Sequence, residues 1–71
     1  MIHAGKTIAL FRYHQGLSQR AFAAHIGVKK STQNKFEQRQ TVQIDTLEMI
    51  AEMFGLTLVQ FLKDFGVYLD D

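Results

Sequence analysis

Five stretches of the chain are predicted to be helical from the spacing of their apolar and polar side chains. They are residues 4–15, 19–25, 29–38, 44–54 and 58–64. In four of them apolar side chains recur every three or four positions, which places them on one face of an α-helix. Gly16, Gly27 and Gly55 stand just after three of the stretches, where helices commonly end. The pattern therefore predicts a compact all-α domain of five helices.

Two hydroxyl residues mark predicted helix beginnings. Ser18 precedes the second stretch and Thr57 precedes the fifth, and such side chains accept hydrogen bonds from the first N–H groups of a helix. Residues 39–43 are predicted to form a loop. The C-terminal tail, residues 65–71, is too short to assign, because a terminal strand, a helix remnant and a mobile end all fit it.

The third stretch differs from the others because it is almost wholly polar. At about 100° per residue, one face is an arc of about 140° made of hydrogen-bonding side chains. These are Lys30, Ser31, Asn34, Lys35 and Gln38. The opposite face is centred on Phe36 and also holds Lys29, Thr32 and Gln33. Gln33 is therefore predicted to point inward, where an amide without hydrogen-bond partners costs about 1–3 kcal/mol.

Charge is divided unevenly between the two halves of the chain, although the net charge is only +1. Residues 1–40 contain seven Lys or Arg side chains and one carboxylate, a net charge of +6. Residues 41–71 contain one Lys and six carboxylates, a net charge of −5. A basic half on a nearly neutral domain is typical of a protein with a polyanionic partner.

Length and composition limit the class of protein. Seventy-one residues correspond to one domain, residues 1–71. The chain has no cysteine, so neither disulfides nor a thiolate metal site can stabilise it. No apolar run reaches the roughly 18 residues that a membrane span needs, and the N-terminus lacks a secretory signal. We therefore expect no membrane association and a cytoplasmic location.

No group of residues has the spacing of a catalytic or metal site. His3, His14 and His25 are eleven residues apart, so no two lie one helical turn from each other, as a helical metal site would require. The two serines have structural explanations as a helix cap and as part of the polar face. We predict no enzymatic activity, no metal and no cofactor.

Residues 18–38 combine a short helix, a turn at Gly27 and a second, basic helix. This is the helix-turn-helix pattern, whose second helix lies in the major groove of double-stranded DNA. The sequence has GLSQ at 16–19, FA at 22–23, IGV at 26–28, Phe36-Glu37, and TLEMIAEMFGLTL at 46–58. In these motifs it resembles the Cro/C1-type (XRE) family of phage repressors and small bacterial regulators. The resemblance covers about residues 5–63.

The resemblance implies a lambda-repressor-like fold and roles for matching positions. Gln19 would contact the DNA backbone and support the recognition helix, residues 29–38. Lys30, Ser31 and Lys35 would contact bases, and Arg12 and Glu37 would form a structural ion pair. Three positions depart from the family pattern. They are Lys29, where Ser or Thr usually caps the helix, Gln33, where Ile or Val is usual, and Arg39, near which Gly is usual.

Together the pattern, the charge and the resemblance predict a set of DNA-contacting residues. The set is Gln19, Arg20, Lys29, Lys30, Ser31, Thr32, Asn34, Lys35, Gln38 and Arg39. Lysine can donate to guanine O6 and N7, and asparagine can bridge adenine N6 and N7. The sequence leaves open which lysines contact bases and which contact phosphates.

More apolar residues are present than a monomer of this size can bury. We expect a homodimer through the fifth helix and the tail, which would present two recognition helices to a palindromic operator. The predicted interface residues are Met53, Leu58, Val59, Phe65 and Tyr68. Two alternatives to a dimeric bacterial or phage repressor stay open. One is an antitoxin that binds a toxin protein, and the other is a protein-interaction module without DNA binding.

Overall fold

The computed structural model describes residues 1–69, which form five α-helices joined by short turns. They are α1 (Ala4–His14), α2 (Gln19–Ile26), α3 (Lys30–Gln38), α4 (Ile44–Met53) and α5 (Leu58–Phe65). Every helix boundary lies within one residue of its prediction, and the all-α fold is confirmed. Within residues 1–69 the longest helix has 11 residues and none could cross a membrane. Asp70 and Asp71, the end of the predicted tail, lie outside the described residues.

The two predicted helix caps are present. The Ser18 hydroxyl accepts a hydrogen bond from the N–H of Ala21 at 3.1 Å. At the start of α5, Thr57 Oγ1 accepts from the N–H of Gln60 at 3.1 Å, and Gln60 Oε1 accepts from the N–H of Thr57 at 3.1 Å. This reciprocal pair is a capping box. Both caps satisfy N–H groups that have no partner within the helix.

Phe11 lies at the centre of the core and connects α1 with α2, with α5 and with Phe54, the residue that follows α4. Its ring makes edge contacts with Phe54, Phe61 and Phe65 at centroid distances of 4.9, 5.0 and 4.8 Å. A fourth edge contact, at 6.1 Å, joins it to Phe22 of α2. Edge-to-face packing is the favoured geometry for aromatic pairs. The spacing of apolar residues along the helices therefore produces one aromatic core.

The start of α1 packs directly on the end of α3. The N–H of Ala4 donates to Gln40 O at 2.8 Å, and the N–H of Gly5 donates to Arg39 O at 2.9 Å. These are N–H groups of the first turn of α1, which lack partners inside the helix. A Cβ atom at Gly5 would lie 2.4 Å from Arg39 O and 2.5 Å from Glu37 O. Only glycine allows so close an approach of the two backbones.

Residues 67–69 lie against the N-terminus and pair with it through backbone hydrogen bonds. Ile2 and Tyr68 form an isolated antiparallel bridge, with His3 N–H donating to Val67 O at 2.7 Å. The buried hydroxyl of Thr7 accepts a hydrogen bond from the N–H of Val67 at 2.9 Å. None of the three assignments open for the tail describes residues 65–69 as a whole, because Phe65 is the last residue of α5 and Tyr68 forms a single bridge without a strand.

The predicted interface residues fall into two groups. Val59, Tyr68 and Met53 are exposed, with 75%, 65% and 48% of their surface accessible. Leu58 and Phe65 are instead half-buried and pack against the core of their own chain. Fewer apolar side chains are therefore left exposed than the sequence predicts, because Leu58 and Phe65 are partly buried in the core.

The close contact at Gly5 predicts that Gly5→Ala destabilises the protein, although helix propensity alone favours alanine. Propensity alone favours Gly5→Ala by up to about 1 kcal/mol inside a helix. We expect the variant to be less stable by about 1–3 kcal/mol, as is typical of overpacking, because the methyl group separates α1 from α3. Urea unfolding measures this change.

Gly16→Ala is the control for the Gly5 variant. A Cβ atom there meets no atom within 4 Å, but Gly16 has φ of +70°, so only a backbone cost of about 1–2 kcal/mol is expected. A Gly5→Ala protein as stable as the wild type would show that α1 and α3 are not in close contact.

Candidate nucleic-acid interface

A buried ion pair joins α1 to the last turn of α3. Arg12 Nε donates to Glu37 Oε2 at 2.7 Å, and Arg12 Nη2 donates to Glu37 Oε1 at 3.0 Å. The two side chains are each only 8% exposed. Arg12 Nη1 also donates to Leu17 O at 2.9 Å, in the turn before α2. The planar guanidinium group thus holds three segments in one arrangement.

Two glutamines complete the coordination of the Glu37 carboxylate. Gln19 Nε2, from α2, donates to Oε1 at 3.2 Å, and Gln33 Nε2, one turn earlier on α3, donates to Oε2 at 2.8 Å. Each carboxylate oxygen therefore accepts two hydrogen bonds, and the donors come from α1, α2 and α3. We call Arg12, Gln19, Gln33 and Glu37 the carboxylate cluster.

The carboxylate cluster keeps Glu37 ionised. Burial by itself would raise the pKa of Glu37, but the hydrogen bonds from Arg12, Gln33 and Gln19 outweigh burial and lower the pKa. The hydrogen bond to Glu37 raises the pKa of Arg12 despite its burial. Both members of the pair are thus charged at neutral pH.

Gln33 occupies the position where the family pattern has a branched apolar residue, and it is completely buried, with 0% exposed. Its inward orientation agrees with the prediction. Its Nε2 donates to Glu37, whereas its Oε1 has no hydrogen-bond partner among residues 1–69. An apolar side chain could not donate to the carboxylate. The amide therefore adds a donor to the carboxylate cluster at the cost of one unpaired buried oxygen.

The outward face of α3 is polar, basic and accessible. Eight of the ten predicted DNA-contacting residues are exposed: Arg20, Lys29, Lys30, Ser31, Asn34, Lys35, Gln38 and Arg39. Gln19 and Thr32 are half-buried. The exposed set lies on α2, α3 and the residues that flank α3. This arrangement leaves several N–H donors available to an anionic partner.

The N-terminus of α3 carries Lys29 and Lys30 and is therefore positively charged. Lys29 occupies the N-cap position, and its side chain makes no capping hydrogen bond in the described part of the chain. The first turn contains no acidic residue, and positive charge at this end of a helix is unfavourable by about 0.3–1 kcal/mol. An approaching phosphate would remove that cost.

The resemblance implied that Gln19 supports the recognition helix, but it did not indicate which side chains of α3 Gln19 contacts. Its Nε2 donates to Glu37 Oε1 and also to Asn34 Oδ1, at 3.3 Å. No local sequence signal connects Gln19 with α3, since the contact joins residues 15 and 18 positions apart. The Gln33–Glu37 contact could have been found, because residues four apart are neighbours on a helix surface.

The chain thus presents a helix-turn-helix with a basic second helix, the architecture of a DNA-binding domain. A family model described as helix-turn-helix matches residues 8–61, well over half of the chain. The chain therefore belongs to the Cro/C1-type (XRE) helix-turn-helix family, and it is a DNA-binding domain with a role in transcription regulation. No curated protein and no solved structure matches it significantly.

The carboxylate cluster predicts that stability falls in acid. The pKa of Glu37 is lower in the folded state than its ordinary value of 4.5. Ionised Glu37 therefore contributes fully to the free energy of unfolding above pH 4.5. The contribution is lost as the pH falls through the lower, folded-state pKa. We expect the free energy of unfolding, measured by urea titration at several pH values, to decline below about pH 4–5.

Glu37→Gln tests whether Glu37 is the carboxylate that causes the decrease in the free energy of unfolding in acid. At pH 7 the variant should lose about 3–5 kcal/mol of the free energy of unfolding, because Arg12 is left buried without its partner. The further decrease of this free energy below pH 4–5 should be smaller than in the wild type. Glu48→Gln removes an exposed carboxylate and should change stability by less than about 0.5 kcal/mol. Equal losses in the two variants would argue against the cluster as the source of stability.

Proposed function

We propose that this chain is a sequence-specific transcriptional regulator that inserts α3 into the major groove and acts as a dimeric repressor on a palindromic operator. The observation that carries the proposal is the carboxylate cluster. It holds the inner side of α3 against α1 and α2, while the outer side is left basic and hydrogen-bonding. Membership of a DNA-binding family supports the same function.

The proposed DNA contacts divide into two kinds. The residues on the outer face of α3 that are proposed to contact base edges in the major groove are Lys30, Ser31, Asn34 and Lys35. The remaining residues are proposed to contact phosphates or the edge of the groove. They are Gln19, Arg20, Lys29, Thr32, Gln38 and Arg39. Base contacts would select the sequence, and phosphate contacts would set the position of the domain on the duplex.

The proposed homodimer uses the exposed apolar residues of α5 and its surroundings. Val59, Tyr68 and Met53 would form the centre of the interface, since a second copy would remove them from water. The half-buried Leu58 and Phe65 would lie beneath them. A twofold axis through this face would present two α3 helices about 34 Å apart, one turn of DNA.

Lys30→Ala and Lys35→Ala should each weaken binding to the preferred sequence by about 10- to 100-fold, which corresponds to the loss of one base contact. Both side chains are exposed, so the thermal midpoint should stay near that of the wild type. Selection of bound duplexes from random DNA, followed by titration of the selected sequence, measures the effect.

Lys63→Ala is the matched control, since it removes an exposed lysine from the last turn of α5. Its affinity should stay close to wild type. Binding of the wild type should also weaken steeply with salt, because neutralised phosphates release counterions. A salt-independent affinity would favour the protein-interaction module instead.

Val59→Glu should convert the dimer to a monomer, because it places a charge in the proposed interface. Sedimentation equilibrium at micromolar concentration measures the change. Ile44→Glu is the control, because Ile44 is also exposed and apolar but lies at the start of α4, outside the proposed interface. A wild-type chain that is monomeric at this concentration would contradict the homodimer and favour another protein, such as a toxin, as the partner of this face.

A further inference from the structure

Tyr68 has backbone groups that the fold leaves without partners. On one side of it, His3 N–H donates to Val67 O at 2.7 Å. On the other side, Leu69 N–H donates to Met1 O at 2.8 Å. In an antiparallel pair, the residue between two such bonds directs its own N–H and C=O away from the paired segment. In the described part of the chain, neither group of Tyr68 forms a backbone hydrogen bond.

The N-terminal segment is covered on its other side by the loop that follows α3. His3 has an extended backbone, so the N–H groups of His3 and Ala4 point in opposite directions. The first donates to the tail, and the second donates to Gln40 O at 2.8 Å. The tail is therefore the outer of the two paired segments, and its free side is an edge.

The outer segment lacks the features that protect an edge from further pairing. Proteins commonly place lysine, other charged side chains or proline on an edge for this purpose. Residues 67–69 are Val, Tyr and Leu, and the Tyr68 side chain is 65% exposed. An edge of this kind can accept another extended segment through backbone hydrogen bonds.

We infer that two copies of the chain pair antiparallel at this edge, with each Tyr68 N–H donating to the Tyr68 C=O of the other copy. The inference rests on the proposed homodimer and names a contact that forms it. Two identical residues that exchange both hydrogen bonds are related by a twofold axis, which is the symmetry of a closed dimer.

Only one register is open to this pairing. Val67 N–H donates to Thr7 Oγ1 at 2.9 Å, and Leu69 N–H donates to Met1 O. Of the three residues in the outer segment, Tyr68 is therefore the one that keeps both its N–H and its C=O for a partner. A pairing centred on Tyr68 breaks no hydrogen bond inside either copy.

The side chains match in this register. Tyr68 lies opposite Tyr68 on one face of the paired segments, and Val67 lies opposite Leu69 on the other face. Pairs of aromatic or apolar side chains across two antiparallel segments are favourable. The chain thus supplies its own complementary segment, so the occupant of the edge is a second copy.

Tyr68→Pro and Tyr68→Ala together test the backbone contact. Both variants lose the phenol ring, but only proline also lacks the N–H. The pair then loses two hydrogen bonds, one from each copy. In sedimentation equilibrium, the dimer dissociation constant of Tyr68→Pro should be about 10- to 100-fold above that of Tyr68→Ala. Equal thermal midpoints of the two variants, at concentrations where both are monomeric, would show that both fold.

Hydrogen exchange of the wild type, followed by NMR, is a second measurement that needs no variant. The Tyr68 amide should exchange at least about tenfold more slowly where the protein is dimeric than where it is monomeric, because only the dimer bonds its hydrogen. The His3 amide is the control. It is bonded to Val67 O inside one chain, so its exchange should depend much less on concentration.

Two results would overturn the inference and leave the homodimer in place. One is an equal dissociation constant for the proline and alanine variants. The other is a dimeric wild type whose Tyr68 amide exchanges as fast as in the monomer, which would confine the interface to side chains of α5 and its surroundings. A wild type that stays monomeric at all concentrations would instead contradict the proposed homodimer, and the inference with it.

Discussion

The buried Glu37 carboxylate is the constraint on which the arrangement of the helix-turn-helix depends. A charge removed from water must be paired and hydrogen-bonded, or it destabilises the fold by several kcal/mol. Here Arg12, Gln19 and Gln33 satisfy it from three helices. The position of α3 depends on these hydrogen bonds, on the contact of α1 with its C-terminal end, and on Phe36, which packs against the core.

Gln33 adds a hydrogen bond that helps to orient α3, at a cost to the stability of the fold. A branched apolar residue would leave no unpaired oxygen in the core, but it could not donate to Glu37. The glutamine adds a directional contact and leaves Oε1 unpaired. Hydrogen bonds between buried polar groups are directional, so this contact favours one orientation of α3 relative to Glu37. The proposed insertion of α3 into the major groove requires a defined orientation of that helix, and the contact of Gln33 with Glu37 contributes to it.

Local sequence patterns were sufficient for the secondary structure because helix periodicity, caps and glycine stops are local effects. The boundaries of all five helices lie within one residue of prediction. The Arg12–Glu37 pair was expected only through the family resemblance, since residues 25 positions apart share no local pattern. The bridge between Ile2 and Tyr68 could not be chosen from the sequence, because its two partners come from opposite ends of the chain.

The sequence by itself determined the helices, the basic N-terminal half and the polar outer face of α3, because each follows from the residues of one short segment. Only the tertiary structure decided which side chains meet at Glu37. Such directional contacts depend on how α1, α2 and α3 are placed in space. The side chains that determine that placement lie far apart in the sequence.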